Sequence, residues 1–338
     1  MKAHRSIGGA LTVLALFGAA RSVAAQSTSV TPSPPPFEIK AGISDPANTV
    51  LAWYMARAAG LYAAQGLKVD ILNMNGGSRG AEELQAGQID VMHVGLSSVI
   101  RVNLAGGDLR TIASLSNVIR FTVFSAAGVQ TAADLKGGIV GVSTLGSESD
   151  ATVTLALQKL GLTRDDVKIK EYGGGMKRLE ALRRGEIKAT ALNEPISSLA
   201  RQQGLNVLVD LVPEQIPWLF SGIVVRRSDI EVRRDLLTRF LKASIEGNYV
   251  ALTDEKRAKE VLARELRISS AKILDITYND FRQQSPSNLE ISTEGAENVL
   301  KQFPNANSKV AKYIDTGLLD TLKKSGFFDT MQEKYKQP

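Results

Sequence analysis

The chain has 338 residues, with 41 Lys and Arg against 35 Asp and Glu, two His and no Cys. Its formal charge of +6 is spread without a basic block, which leaves no footing for a nucleic-acid or membrane-surface role. Without Cys there is no disulfide framework and no thiol for a lipid anchor or a nucleophile, so the fold must rest on its apolar core.

Lys2 and Arg5, an apolar run from Ile7 to Ala20, and small residues at Val23 and Ala25 form the pattern of a cleavable export signal over 1–25. The run falls short of the roughly 20 apolar residues that a bilayer span needs. Cleavage would remove Lys2, Arg5 and Arg21, leaving about 313 residues with a charge of +3. The next residues, 26–36, are rich in Pro and Ser and read as an extended tether.

From Phe37 the pattern repeats. The first copy runs from a strand ending at Ser44 (AGIS), through a second strand opened by Gly66 (GLKVDI), to a helix and third strand from Gly76 (GGSRGAEELQAGQIDVMHVGLSS). The second copy has VGVS ending at Ser143, GLTRDDVKI from Gly161, and GGMKRLEALRRGEIKATALNEPI from Gly174. Gly76/Gly174, Leu84/Leu182, Gly87/Gly185 and Ile89/Ile187 coincide without a gap. Each Gly-Leu reads as a helix stop, because Gly adopts the left-handed conformation past a last turn. A repeated unit over 38–100 and 137–198 predicts two similar doubly wound α/β lobes, each a parallel sheet faced by helices. NVIRFTVFSAAG (117–128) is expected to leave lobe one and PWLFSGIVVRR (217–227) to return to it. Lobe one is therefore expected over 37–120, lobe two over 121–219, and the completion of lobe one over 220–338 by helices with solvated charged faces.

In open α/β sheets ligands lie beyond the carboxyl ends of the strands. In lobe one this selects Ser44 and Asn48, then Gly76, Gly77 and Ser78, then Ser97 and Ser98. In lobe two it selects Ser143, Thr144 and Ser147, then Asn193 and Glu194; Asn117 and Trp218 stand at the crossings. The stretch GVSTLGSESD is a helix entrance with free N–H groups, many hydroxyls and little bulk. Ser or Asp there also caps a helix without any ligand, paired glycines form turns, and Glu194 is equally suited to an Arg partner. Cap, turn and contact thus stay open for each residue, and the repeated placement is what favours a site. Trp218 and Phe220 suit either a cleft wall or hinge packing, and Arg120 either an anionic ligand or an ion pair. His93, alone on a strand, reads as structural. No metal-ligand cluster, GxSxG elbow or GxxxxGKS loop is present, so no catalytic residue, metal or cofactor is expected.

Four stretches carry a family resemblance: ARAAGLYAAQGLKVDIL, LQAGQIDVMHVG, TAADLKGGIVGVSTLGSESDATVTLALQKLGL and RLEALRRGEIKATALNEP. From about Phe37 to Phe328 the chain resembles the SsuA/THI5-like (NMT1-like) extracytoplasmic solute-binding proteins of ABC importers. The resemblance implies the type II periplasmic-binding-protein fold, two similar lobes joined by two crossing segments with a ligand cleft between them. Ser44, Gly76, Gly77, Ser78, Ser97, Ser143, Ser147 and Glu194 occupy its pocket positions. It implies a periplasmic monomer without enzymatic activity, which captures a small polar or anionic solute of the sulfonate, nitrate or taurine class. The lobes would close by hinging near 118–124 and 218–224, and the solute would pass to a permease and its ATPase in the inner membrane. Members often carry Asp where this chain has Lys188 and an aromatic where it has Asn193, and the second departure leaves the ligand open. Two other functions suit the same resemblance. One is a sensor that presents its ligand to a membrane receptor. The other is a THI5-type pyrimidine synthase, which calls for a Cys-rich stretch that is absent here.

Overall fold

The computed structural model of the chain describes residues 1, 8–9 and 36–336. The export signal expected over 1–25 and the tether expected over 26–36, apart from Pro36, lie outside the continuous described stretch. Ten strands follow from it: β1 (Phe37–Ile43), β2 (Leu67–Asn73), β3 (Val91–Val94), β4 (Leu109–Val118), β5 (Thr122–Ser125), β6 (Ile139–Val142), β7 (Lys168–Glu171), β8 (Ala189–Leu192), β9 (Asn206–Asp210) and β10 (Pro217–Arg226). They form two sheets of five, ordered β2-β1-β3-β10-β4 and β7-β6-β8-β5-β9.

The duplicated stretches fold alike. Helices Gly77–Gln85 and Gly175–Arg183 sit at matching places, as do β3 and β8. Gly66 and Gly161 both stop a helix with positive φ, at 69° and 70°. β1 pairs in parallel with β2 and β3, and β6 with β7 and β8. The sheets are nevertheless mixed, not wholly parallel: β10 runs against β3 and β4, and β5 against β8 and β9. The connectivity explains this. β4 and β9 end at the cleft, and the chain crosses there through 119–121 and 211–216. Each arriving strand enters the other lobe from its cleft edge and must descend against its neighbours.

The long helix Arg234–Thr253 buries Leu237, Phe240, Leu241, Ser244, Ile245, Asn248 and Tyr249, a stripe at steps of three and four. Phe240 meets Trp53 edge-on and stacks on Tyr62, both at 5.3 Å. The helices Glu255–Leu266, Ala271–Gln284 and Thr293–Leu300 open on caps from Asp254, Ser270 and Ser292, whose side chains accept backbone N–H bonds. A second apolar cluster runs through the crossings, joining Val94 of β3 and Val142 of β6 through Ile119, Phe121, Trp218 and Phe220. Among the described residues no helix is long and apolar enough to cross a membrane.

Candidate functional site

The carboxyl ends of β1, β3, β6 and β8 converge on a cavity of about 70 Å³ between the sheets. Lobe one lines it with Ser44, Asp45, Gly77, His93 and Ser98, and lobe two with Ser143, Ser147, Glu148, Arg178 and Asn193. Phe121, Phe220 and Ser221 close it at the crossings, the two rings edge-on at 5.0 Å. The hydroxyl-rich entrance is a cluster. Ser143 Oγ lies 2.9 Å from Ser147 Oγ and 3.0 Å from Ser149 Oγ, and Ser149 Oγ accepts the Ser143 N–H at 2.8 Å. Ser44 Oγ donates to the His93 carbonyl at 3.0 Å, tying the ends of β1 and β3 together.

Six residues singled out in the sequence therefore line one cavity: Ser44, Gly77, Ser98, Ser143, Ser147 and Asn193. Five others sit beside it in contacts within or across the lobes. Ser78 donates its N–H to Thr144 Oγ1 at 3.1 Å and its hydroxyl to the Leu145 carbonyl at 2.9 Å. Gly76 leaves room for Thr144, since a Cβ there would stand 2.5 Å from Thr144 Cγ2. The Ser97 N–H and the Trp218 indole both bond Glu148. Three lie away from the cavity. Asn48 donates to the Thr277 carbonyl and to Asp280, at 3.0 and 2.7 Å. Asn117 binds the backbone of Glu290 and Ser292. Glu194 accepts from Ser197 Oγ at 2.5 Å, and burial pushes its carboxyl up. Arg120 is also taken up elsewhere, in a buried ion pair with Asp280.

Asp45, Glu148 and Arg178 line the cavity, yet none stood out in the sequence. Glu148 Oε1 accepts the Ser97 N–H at 2.7 Å and Oε2 the Trp218 indole N–H at 2.7 Å. Burial lifts its carboxyl from 4.5 to about 7 despite these donors. Asp45 Oδ2 accepts the Gly175 N–H at 2.5 Å, and burial raises its carboxyl too. Arg178 donates to the carbonyls of Gly173 and Ala191 and to Thr190 Oγ1, all within lobe two, and burial draws its guanidinium down to about 10. Glu148 was hidden among hydroxyls, and Arg178 is one of several charges in the repeated helix GGMKRLEALRRG, where local pattern does not set it apart. His93 is more than a strand residue. Its ring is buried at 4% exposure, held neutral with its pKa lowered to about 4, and neither ring nitrogen has a hydrogen-bond partner. Ser98 Oγ and Ser221 Oγ are likewise buried without partners. Such groups at a cavity wall are where an incoming solute would supply the missing bonds.

Residues 48–258 match a family model described as NMT1/THI5 like. The riboflavin-binding protein RibY of Chloroflexus aurantiacus is 26% identical over 202 residues, 58% of this chain and 56% of its own, so the match spans about half of that relative. The alkanesulfonate-binding protein SsuA of Xanthomonas axonopodis pv. citri, solved with MOPS bound, superposes with a TM-score of 0.68 at 17% identity, covering 84% of this chain and 99% of its own. The desulfurization enzyme DSZB also shares the fold, with a TM-score of 0.63 at 16% identity over 86% of this chain and 99% of its own. The two-lobed architecture is thus that of the periplasmic binding proteins.

Proposed function

The chain belongs to the NMT1/THI5-like family, and from that premise we propose that it is the periplasmic binding component of an ABC importer. In this reading it captures a small polar organic solute between its lobes and delivers it to a membrane permease and its ATPase. One observation carries it: both lobes line a single cavity in which His93, Ser98 and Ser221 keep unpartnered polar atoms. A solute bonded to both walls is held fully only when the lobes are together, so it favours the closed state. The paired crossings at 119–121 and 211–216 are the places where such a movement would be absorbed. The likeness in fold to an alkanesulfonate-binding SsuA solved with MOPS bound puts sulfonates among the first compounds to try. DSZB shows that catalysis is compatible with this fold, but this chain offers no Cys nucleophile.

Native mass spectrometry of the protein purified from its own host tests the proposal. A small mass that co-purifies and is lost on denaturation supports it. Bare protein, with no thermal shift from sulfonates, carboxylates, amides, nitrate or pyrimidines, would count against it.

A further inference from the structure

Arg120 stands on the first crossing between the lobes, and two carboxyl groups lie near it. Asp280, on the lobe-one helix Ala271–Gln284, holds Arg120 Nη2 in an ion pair, and its backbone carbonyl accepts from the same nitrogen at 3.1 Å. Glu194 of lobe two makes no such bond, yet the strand register keeps it close. β5 sets Thr122 against Leu192 of β8, and the same register carried two residues on sets Arg120 against Glu194. Burial draws the Arg120 pKa down, and the charges of Asp280 and Glu194 both oppose this. Burial pushes the Glu194 carboxyl up, and the Asp280 charge adds to it.

Each member of the near pair keeps an idle atom. Arg120 Nη1 and Glu194 Oε2 are both buried without a hydrogen-bond partner. Ser197 Oγ engages Glu194 Oε1 at 2.5 Å, which anchors the carboxyl and leaves its second oxygen free. One idle atom is a cationic donor and the other a carboxyl acceptor, so each suits the other. Arg120 and Glu194 are tied to the same lobe through β5 and β8, whereas Asp280 belongs to the other. Parting the lobes therefore draws Arg120 away from Asp280 and leaves it beside Glu194. A buried guanidinium stripped of its only carboxylate is strongly unfavourable, and a single fixed partner would resist that movement. Asp280 does not become an orphan in the exchange, because the Asn48 amide also donates to it at 2.7 Å.

We infer that Arg120 is a two-seat clasp at the hinge, bound to Asp280 in the lobe arrangement seen here and to Glu194 when the lobes part. The buried guanidinium stays paired in both arrangements, so the crossing can hold two discrete states. The inference goes beyond solute capture and rests on the reading that the lobes move about the crossings.

The chain has no Cys, so two introduced cysteines give unique label sites. Asp70→Cys on β2 and Lys170→Cys on β7 put spin labels on exposed residues of the strands at the sheet edges opposite the crossings. Pulsed dipolar spectroscopy of the full protein should give a short and a long distance. Glu194→Gln weakens the second seat and should lower the ratio of long to short at least threefold. Asp280→Asn weakens the first and should raise it at least threefold. Glu194→Ala repeats the first test should Glu194→Gln fail to fold, and urea denaturation checks each variant. A ratio unchanged in the Glu194 variants overturns the clasp and leaves the moving lobes standing. A shift in the same direction for Glu194 and Asp280 variants also overturns it, since mere loosening of a buried charge cluster gives that result. A single distance in every protein overturns the movement itself, and the clasp falls with it. Solute capture is judged separately, by the mass that co-purifies.

Discussion

Glu148 shows how much of the site's behaviour rests on one side chain. Its carboxyl titrates at about 7 in the closed cleft and at 4.5 when free in water. The folded, closed form therefore holds its proton more tightly. The resulting stability is fully present below 4.5 and is lost as pH rises through 7, on the order of 3 kcal/mol in all. Asp45 is shifted in the same direction, again chiefly by burial. His93 acts in the opposite direction, since burial lowers its pKa from 6.5 to about 4 and its cost to the folded state fades as pH rises through 6.5, whereas Arg178 stays charged throughout this range. The two effects largely offset in the wild type between pH 5 and 8, so the Glu148 contribution is read from a variant. Glu148→Gln, which cannot ionise, should gain melting temperature relative to the wild type as pH rises over that interval. Parallel profiles for the two proteins would show that Glu148 ionises without strain.

At the scale of elements, two contacts govern how the lobes meet. Gly95 precedes the helix Leu96–Leu104 with φ −82° and ψ 166°, a conformation open to any residue. Its lack of a side chain serves the opposite lobe, whose Glu148 fills the space. Gly95→Ala should leave each lobe folded but obstruct closure, at a cost of about 1–3 kcal/mol to the closed form. Small-angle scattering should then give a larger radius of gyration than for the wild type, and an unchanged radius would show that Glu148 can step aside. The first crossing is held differently. Arg120 pairs with Asp280 of the helix Ala271–Gln284, with side-chain exposures of 2% and 14%, and Asn48 also donates to that carboxylate. Arg120→Ala strands a mostly buried carboxylate and should lower unfolding free energy by about 3–5 kcal/mol, measurable by urea denaturation.

For the whole molecule, a cleft lined from both lobes couples binding to shape. A bound solute stabilises the folded chain by mass action, by about 2.7 kcal/mol at a hundredfold excess over its dissociation constant. In a chain of this size that should raise the melting temperature by several degrees, with a fall in radius of gyration at the same concentrations. Stabilisation without compaction would indicate that the solute enters lobes already closed. The observed cavity is small, about 70 Å³, against the roughly 150 Å³ that accommodates a benzene ring. A ring-sized solute must therefore hold the lobes farther apart than they stand here.

The sequence by itself determined what is periodic or local. The two copies of the α/β unit follow from glycines and apolar residues at fixed spacing, and Gly66 and Gly161 end helices as Gly-Leu implies. The C-terminal helices follow from stripes such as Leu237, Phe240, Leu241 and Ser244. Strand-end geometry then sufficed to bring Ser44, Gly77, Ser98, Ser143, Ser147 and Asn193 to one cavity. Only the tertiary structure decided which charges belong there, because Asp45, Glu148 and Arg178 acquire their places through partners 130, 51 and 13 residues away along the chain. It also set the reversed direction of β5 and β10, which depends on where the chain crosses between lobes. Asn48 and Arg120, plausible ligand contacts in the sequence, became structural because Asp280, more than 150 residues later, folds back between them. A pattern of side chains reports the period of a strand or helix, whereas the partner of a buried charge is fixed only when distant segments meet.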